Sequence, residues 1–464
     1  MHKRKRGKSS KPTRALERKL AVEGTIEPMS LRMFVAPLRQ PFVSLMLCAY
    51  FLICIGYATV TPFGRAPDEN AHHFYVRHIV ERGSLPKMQK GEEWHEAHQP
   101  PLFYILASPL FVASKSFAKL IGAKEEDAER ATVWALRMFC MLCGSVTVLA
   151  TFHVARLLFP SELIYANTAL AFAATHAMHA FINSSINSDN FAEALCSLFM
   201  VWLLSTPFSR GIRLKDAFIL GLFLGCIGIT KYFAWSAVSA TAVVLVWNVR
   251  RYAPDTRELL KCVATTCLVT FAICSWWYIR NLIVYGDLLG QRVYEQLSEH
   301  AAQPSWFLAM GYSMLDYFSL AVRYLYWTFW GLFGLTDIFL PWWAYYLWLI
   351  PTLISAIGLL LLLMSRRLIA SGERIAVSWL SLFCWLVTLL LLYIAFLMHY
   401  FSAQMRHLFL MFAFFAVLFT AGLIEWLPTA VRGKIRLALP IGVALLMLAY
   451  NAVCILFIIP NAYR

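Results

Sequence analysis

Residues 41–60 read PFVSLMLCAYFLICIGYATV, and the chain runs on through TPFGR into Ala66-Pro67-Asp68-Glu69-Asn70-Ala71-His72-His73. The first run carries no charged residue and is long enough to cross the hydrocarbon core of a bilayer. The second places two adjacent carboxylates and two histidines at the mouth of that span, where burying them is costly and solvating them is easy. A membrane protein with chemistry at one end of its helices is the reading from which the rest follows.

Composition supports it. The chain is 60% hydrophobic and only 14% charged, with a mean hydropathy of +0.61, far from a soluble globular mixture. The net charge of +15 would suit nucleic acid, but the basic residues concentrate in the N-terminal tail and in short links between apolar runs. That is the positive-inside pattern of a polytopic membrane protein, and no nucleic-acid partner is expected. The eleven cysteines lie in or beside apolar runs and read as small packing residues; Cys140 and Cys143 form a CxxC without a second pair to complete a metal site.

Taken in order, residues 1–40 form a basic cytoplasmic tail without a cleavable signal pattern, and residues 41–464 a transmembrane domain. After the first span, residues 61–133 make a long outer loop whose stretch from Leu102 lies in the interface. Spans follow over 134–158, 163–182, 191–206, 217–230, 233–249 and 263–278. A second large outer loop covers 279–340, and spans at 342–364, 375–398, 408–426 and 437–459 complete the chain. The expectation is an all-α polytopic protein of about eleven transmembrane helices, N-terminus inside and C-terminus outside. The aromatic run from Tyr317 to Trp330 reads first as an interfacial anchor, with Trp327 and Trp330 as alternative platforms for a sugar ring.

This alternation predicts that polar residues out of place near apolar runs gather at one level. Asp68, Glu69, Asn187, Asp189, Lys231, Arg280, Asn281, Asp287, Arg406 and His407 all fall at the outer ends of their spans. Snorkelling cations and helix-capping acids are the bland alternative for any one of them. On a helix, Asp68 would neighbour His72, and Glu69 would neighbour His72 and His73. Asp68, Glu69, His72 and His73 are therefore candidate ligands for a divalent metal, although the HExxH pattern is missing; no cofactor is otherwise implied.

The residues also carry a family resemblance. Pro67-Asp68-Glu69 with His72, then residues 98–104 (HQPPLFY), resemble the first outer loop of GT-C glycosyltransferases that use lipid-phosphate sugars. The resemblance is close to the bacterial membrane proteins grouped as DUF2142 and extends to protein mannosyltransferases and aminoarabinose transferases. It continues in Asn187-Ser188-Asp189, Gly225 through Thr230-Lys231-Tyr232, residues 275–281 (SWWYIRN), Tyr285-Gly286-Asp287 and residues 329–334 (FWGLFG). One stretch departs: where relatives show Gly-Arg-Tyr-Leu and prolines, residues 404–408 read QMRHL, keeping only the arginine as Arg406.

The resemblance implies a GT-C fold and transfer of a sugar from a polyprenyl-phosphate donor to a hydroxyl acceptor, with inversion, at the outer face of a bacterial inner membrane, in envelope glycan or glycoconjugate synthesis. Such a reaction needs a base near the acceptor and cations near the leaving phosphate. Asp68 is the expected base, with Glu69 orienting the acceptor or exchanging roles with it. Arg280, Lys231 and Arg406 are the expected phosphate ligands, and Asn187, Asp189, His72, Asn281 and Asp287 the sugar or acceptor contacts. His73 and His98 are further proton carriers or, more simply, structural histidines. The competing classes are a transporter or lipid flippase, which would place charges nearer the midplane of two related halves, and a catalytically silent partner of the same fold.

Overall fold

The computed structural model describes residues 27–88, 96–209, 211–252, 255–297, 302–365 and 372–464. The expected tail lies largely outside the described residues. Among the described residues the architecture is all-α, with one hairpin of two-residue strands in which Leu332–Phe333 pairs antiparallel with Ile338–Phe339.

After a single helical turn at Leu31–Val35 and a 3-10 turn at Ala36–Arg39 comes α1 (Pro41–Val60), followed by the outer-loop helices α2 (Glu69–Arg82) and α3 (Leu102–Leu120). A long helix α4 (Glu125–Leu158) leads to the pair α5 (Leu163–Thr175) and α6 (Ala177–Asn183), then α7 (Ser188–Ser209) and α8 (Leu214–Gly228). Next come α9 (Ala237–Tyr252), α10 (Thr256–Tyr285), α11 (Met314–Trp330), α12 (Trp342–Met364), α13 (Glu373–Leu397), α14 (Phe412–Glu425) and α15 (Ala438–Val453). Among the described residues, nine helical stretches are long and apolar enough to cross a membrane.

The two expected spans missing from those nine are present as shorter helices. The stretch expected over 163–182 is broken at His176, whose backbone is extended and whose Nδ1 accepts the His179 N–H at 3.2 Å. The stretch expected over 217–230 stops at Gly228, and Lys231 follows in an extended conformation before a single 3-10 turn, Tyr232–Ser236. Both interruptions are wrapped in protein: His176 and Thr230 are fully buried. Irregular backbone is tolerated at membrane depth only where protein or a cavity supplies its hydrogen-bond partners.

Helices α4, α7 and the Met405–Glu425 stretch form the protein's interior, whereas α10 and α12 are mostly exposed. An exposed helix of this composition faces lipid, which is as apolar as its side chains. Buried polar groups pin the centre: the Tyr57 hydroxyl donates to Asn451 Oδ1 at 2.8 Å, and Asn451 Nδ2 donates to the Thr175 carbonyl at 2.8 Å. One side-chain pair thereby ties α1, α15 and the end of α5 together. Helix α3 buries Phe103, Ala107 and Phe111 at fourfold spacing against the core, while Leu106 and Leu110 are exposed on its other side.

Trp330 is not available to a sugar ring. It is 1% exposed, and its face lies on Trp348 at 4.4 Å with 6° between the planes. Trp327 packs edge-on against Phe339 and Trp342. The hairpin and the start of α12 fold over these rings, an arrangement that spacing along the chain could not reveal.

Candidate active site

Asp68 stands just before α2 with φ 60 and ψ 7, a left-handed conformation that costs a residue with a Cβ. This turn sends the adjacent carboxylates to opposite sides. Asp68 stays about one-third exposed, and its Oδ2 pairs with Arg406 Nη2. Arg406 Nη1 also reaches Asp189 Oδ2 at 3.4 Å, and Asp189 Oδ1 accepts from Lys231 Nζ at 2.6 Å. The result is a row of alternating charge, Asp68–Arg406–Asp189–Lys231, in which only Asp68 has substantial access to solvent.

Four separate elements deliver these groups. Asp68 comes from the loop after α1, Asp189 from the first turn of α7, Lys231 from the break after α8, and Arg406 from the 3-10 turn Met405–Met411. Gln404 Oε1 accepts from Arg406 Nε at 2.8 Å and fixes the guanidinium plane. Beside the arginine is a cleft of only about 10 Å³, bounded by Pro67, Thr328, Thr336 and Phe409. It has room for one water at most.

Burial works to raise the Asp68 pKa, but the Arg406 guanidinium, by its charge and its hydrogen bond, outweighs it and holds the carboxyl below its usual range. Asp68 is therefore an anion at neutral pH. Burial pushes the His72 imidazole down to about 3 despite the pull of Asp68, so this ring is neutral. Its Nδ1 lies 2.8 Å from the Tyr104 hydroxyl, and Tyr104 stacks on Tyr75 at 3.6 Å.

Glu69 departs from expectation. Its side chain is fully buried, and four donors occupy its two oxygens: Arg137 Nε at 2.8 Å and Ile186 N at 3.2 Å on Oε1, Arg137 Nη2 and Gly64 N, each at 2.9 Å, on Oε2. Arg137 also donates to the carbonyls of Ala58 and Thr61, at 2.7 and 3.3 Å. This ion pair staples the end of α1, the start of α2 and the loop before α7 to α4.

The candidate metal ligands are likewise divided. His73 Nε2 turns to the Thr132 hydroxyl at 3.2 Å and Glu69 to Arg137, leaving Asp68 with His72. Among the described residues no three His, Cys, Asp or Glu side chains are grouped to hold a metal ion. One helical face did not form from all four, because the helix begins at Glu69 and the left-handed turn precedes it.

Asn187 caps α7, its Oδ1 accepting the Asp189 N–H at 2.8 Å, and its amide reaches the Pro67 carbonyl at 3.4 Å. It thus links the two acidic segments. Arg280 is engaged away from the charge row: it donates to the Pro86 carbonyl at 2.6 Å and Asn281 Oδ1 at 3.1 Å, and lies over the Trp277 ring at 4.9 Å. Asn281 in turn donates to the Leu288 carbonyl at 3.2 Å, and Asp287 accepts the backbone N–H groups of Leu289 and Arg292. These three organise the start of the second outer loop.

Two residues of the site had no sequence signal. Arg137 is one cation in a long helical run. Glu96 sits among other polar residues, in a left-handed conformation with φ 54 and 4% exposure. Burial, and then the nearby Asp68 carboxylate, push the Glu96 carboxyl up to about 8. Its Oε2 is 3.4 Å from His98 Nε2, and burial holds that imidazole down at about 3. Both groups are neutral at pH 7. A carboxyl whose folded-state pKa is raised contributes stability that is complete below its ordinary value of about 4.5 and is lost as pH rises through about 8. Glu96→Gln should therefore flatten the decline in Tm between about pH 5 and about pH 9. An unchanged decline in the variant would assign it to other groups.

Residues 129–277, about a third of the chain, match the family model for dolichyl-phosphate-mannose-protein mannosyltransferase. No curated protein matches the chain. The matched stretch includes Arg137, Asn187, Asp189 and Lys231, while Asp68 and Arg406 lie outside it. Together with the all-α, multi-span architecture, the match supports a membrane glycosyltransferase of the GT-C type.

Proposed function

We propose that this protein transfers a sugar from a polyprenyl-phosphate donor to a hydroxyl acceptor at the outer face of the membrane, inverting the anomeric centre, in the synthesis of an envelope glycan or glycoconjugate. The observation that carries the reading is the charge row itself: a partly exposed carboxylate, Asp68, bonded to a buried cation, Arg406, with a second cation, Lys231, held beyond it through Asp189. Base and candidate phosphate ligands thus belong to one bonded row, and two of its members lie inside the matched stretch.

Asp68 takes the proton of the acceptor hydroxyl as its oxygen attacks the anomeric carbon. The bond from that carbon to the phosphate oxygen breaks, and its electron pair leaves with the polyprenyl phosphate. No acid is needed for the leaving group, because Arg406 and Lys231 stabilise the charge it gains. Arg406 has a double part. Paired with it, Asp68 is a weak base; when the donor phosphate draws the guanidinium towards itself, Asp68 regains basicity as the donor arrives. Glu69 with Arg137, and Asn187 with Pro67, hold the base in register. Asp189 positions both cations. His72, neutral and hydrogen-bonded to Tyr104, follows Asp68 by one helical turn, and Arg280, Asn281 and Asp287 organise the start of the second outer loop.

The test is release of free polyprenyl phosphate by the purified protein from a panel of polyprenyl-phosphate sugars, with envelope extracts as acceptors. Acceptor-dependent release identifies the donor sugar and supports the transferase. Folded protein that releases nothing across the panel overturns the reading in favour of a transporter or a silent partner.

A further inference from the structure

Well away from the charge row, α8, α9 and α10 enclose an apolar groove of about 250 Å³. Its shape follows from what each helix is tied to. Helix α8 packs closely on α10 through Gly221 and Gly225: a Cβ at Gly221 would lie 2.7 Å from the Val269 Cβ, and one at Gly225 2.7 Å from the Ile273 Cβ. The Thr266 hydroxyl donates to the Ala217 carbonyl at 3.0 Å across the same seam. Helix α9 is fastened elsewhere. Trp247 Nε1 donates to Glu373 on α13 at 2.9 Å, and Asn248 Nδ2 donates to the Pro207 carbonyl of α7 at 2.7 Å. The α8–α10 pair and α9 therefore diverge, and Leu220, Leu224, Thr241, Leu245, Cys262 and Val263 line the gap between them.

Packed interiors leave few voids larger than a water molecule, and in a bilayer an apolar groove of this size fills with hydrocarbon. The chemistry of its polar end indicates which hydrocarbon. Asn248, Val249, Glu258 and Leu259 line that end. Arg250 and Arg251 continue from α9, and Arg257 and Lys261 flank Glu258 in the first turns of α10; all four are exposed. Lys215, in the first turn of α8, is exposed as well. Of the neighbouring carboxylates, Glu258 is bonded to Lys261 at 2.7 Å and Asp216 caps its own helix by accepting the Arg213 N–H at 3.0 Å; Asp255 sits at the start of α10. The rim keeps a cationic excess where a lipid headgroup would lie.

We infer that this groove is a binding site for an anionic phospholipid, one acyl chain lying between α9 and the α8–α10 pair and the phosphate held at the Arg250, Arg251 and Arg257 rim. Basic pockets between transmembrane helices bind anionic headgroups through this combination of charge and apolar cover. The lipid completes the packing that the diverging helices leave open, and it joins α9 to the α8–α10 pair at the end opposite Lys231.

The experiment is lipid retention by the full-length protein. Protein reconstituted in vesicles of phosphatidylcholine, with or without phosphatidylglycerol, is re-extracted in detergent; native mass spectrometry then reads the bound lipid and a melting curve reads Tm. The expected result is preferential retention of phosphatidylglycerol with a higher Tm. Retention should fall by about tenfold in an Arg250→Gln, Arg251→Gln double variant. It should also fall in Ala242→Trp, which fills the groove without changing charge. Equal retention of phosphatidylcholine, undiminished retention in both variants, or a polyprenyl chain recovered in place of phospholipid would each overturn the site.

Discussion

Asp68→Asn should lower acceptor-dependent release of polyprenyl phosphate by about 10²–10⁴-fold while leaving the protein folded, because that is the usual contribution of a positioned general base. The substitution keeps size and shape but removes the only group of the charge row that is both basic and substantially exposed. It also leaves Arg406 with one carboxylate partner, Asp189. Donor binding should accordingly be retained or strengthened, since the phosphate no longer competes with Asp68 for the guanidinium. A fall in turnover with unimpaired donor affinity is the expected signature, measured by single-turnover kinetics and donor titration. Full activity in the asparagine variant would remove Asp68 from the chemistry.

Arg137→Ala should be the most damaging substitution for the fold, by about 3–5 kcal/mol. It strands the Glu69 carboxylate, which is fully buried, and takes a donor from the carbonyls of Ala58 and Thr61. The measurement is Tm and monodispersity in detergent. A double replacement, Glu69→Leu with Arg137→Met, should recover much of the lost stability, because removing both charges also removes their desolvation penalty. If Arg137→Ala melted like the parent protein, the ion pair would carry no structural weight, and the stapling role given to Glu69 would fall with it.

These two substitutions test neighbouring carboxylates with opposite fates. Asp68 and Glu69 differ by one position, and both sat beside a predicted span with histidines five residues or fewer away. Nothing in their spacing said that one would meet Arg406, 338 positions along the chain, and the other Arg137, 68 positions along. Arg280, read from its motif as a phosphate ligand, finds closer partners in Pro86 and Trp277. Glu96 could not be distinguished from other acids in the same loop, because what sets it apart is burial, a property of the folded chain.

The sequence by itself determined that the protein is all-α and membrane-spanning, roughly where its spans run, and that Asp68, Asp189, Lys231 and Arg406 are polar groups at span ends. These are local properties: twenty or so apolar residues and the distribution of Lys and Arg suffice to recognise a helix that prefers lipid. Only the tertiary structure decided which charges pair, which span is broken at His176, and which carboxylate stays open to solvent. The physical reason is that hydropathy is summed along the chain, whereas the cost of burying a charge depends on the partner brought to it in space.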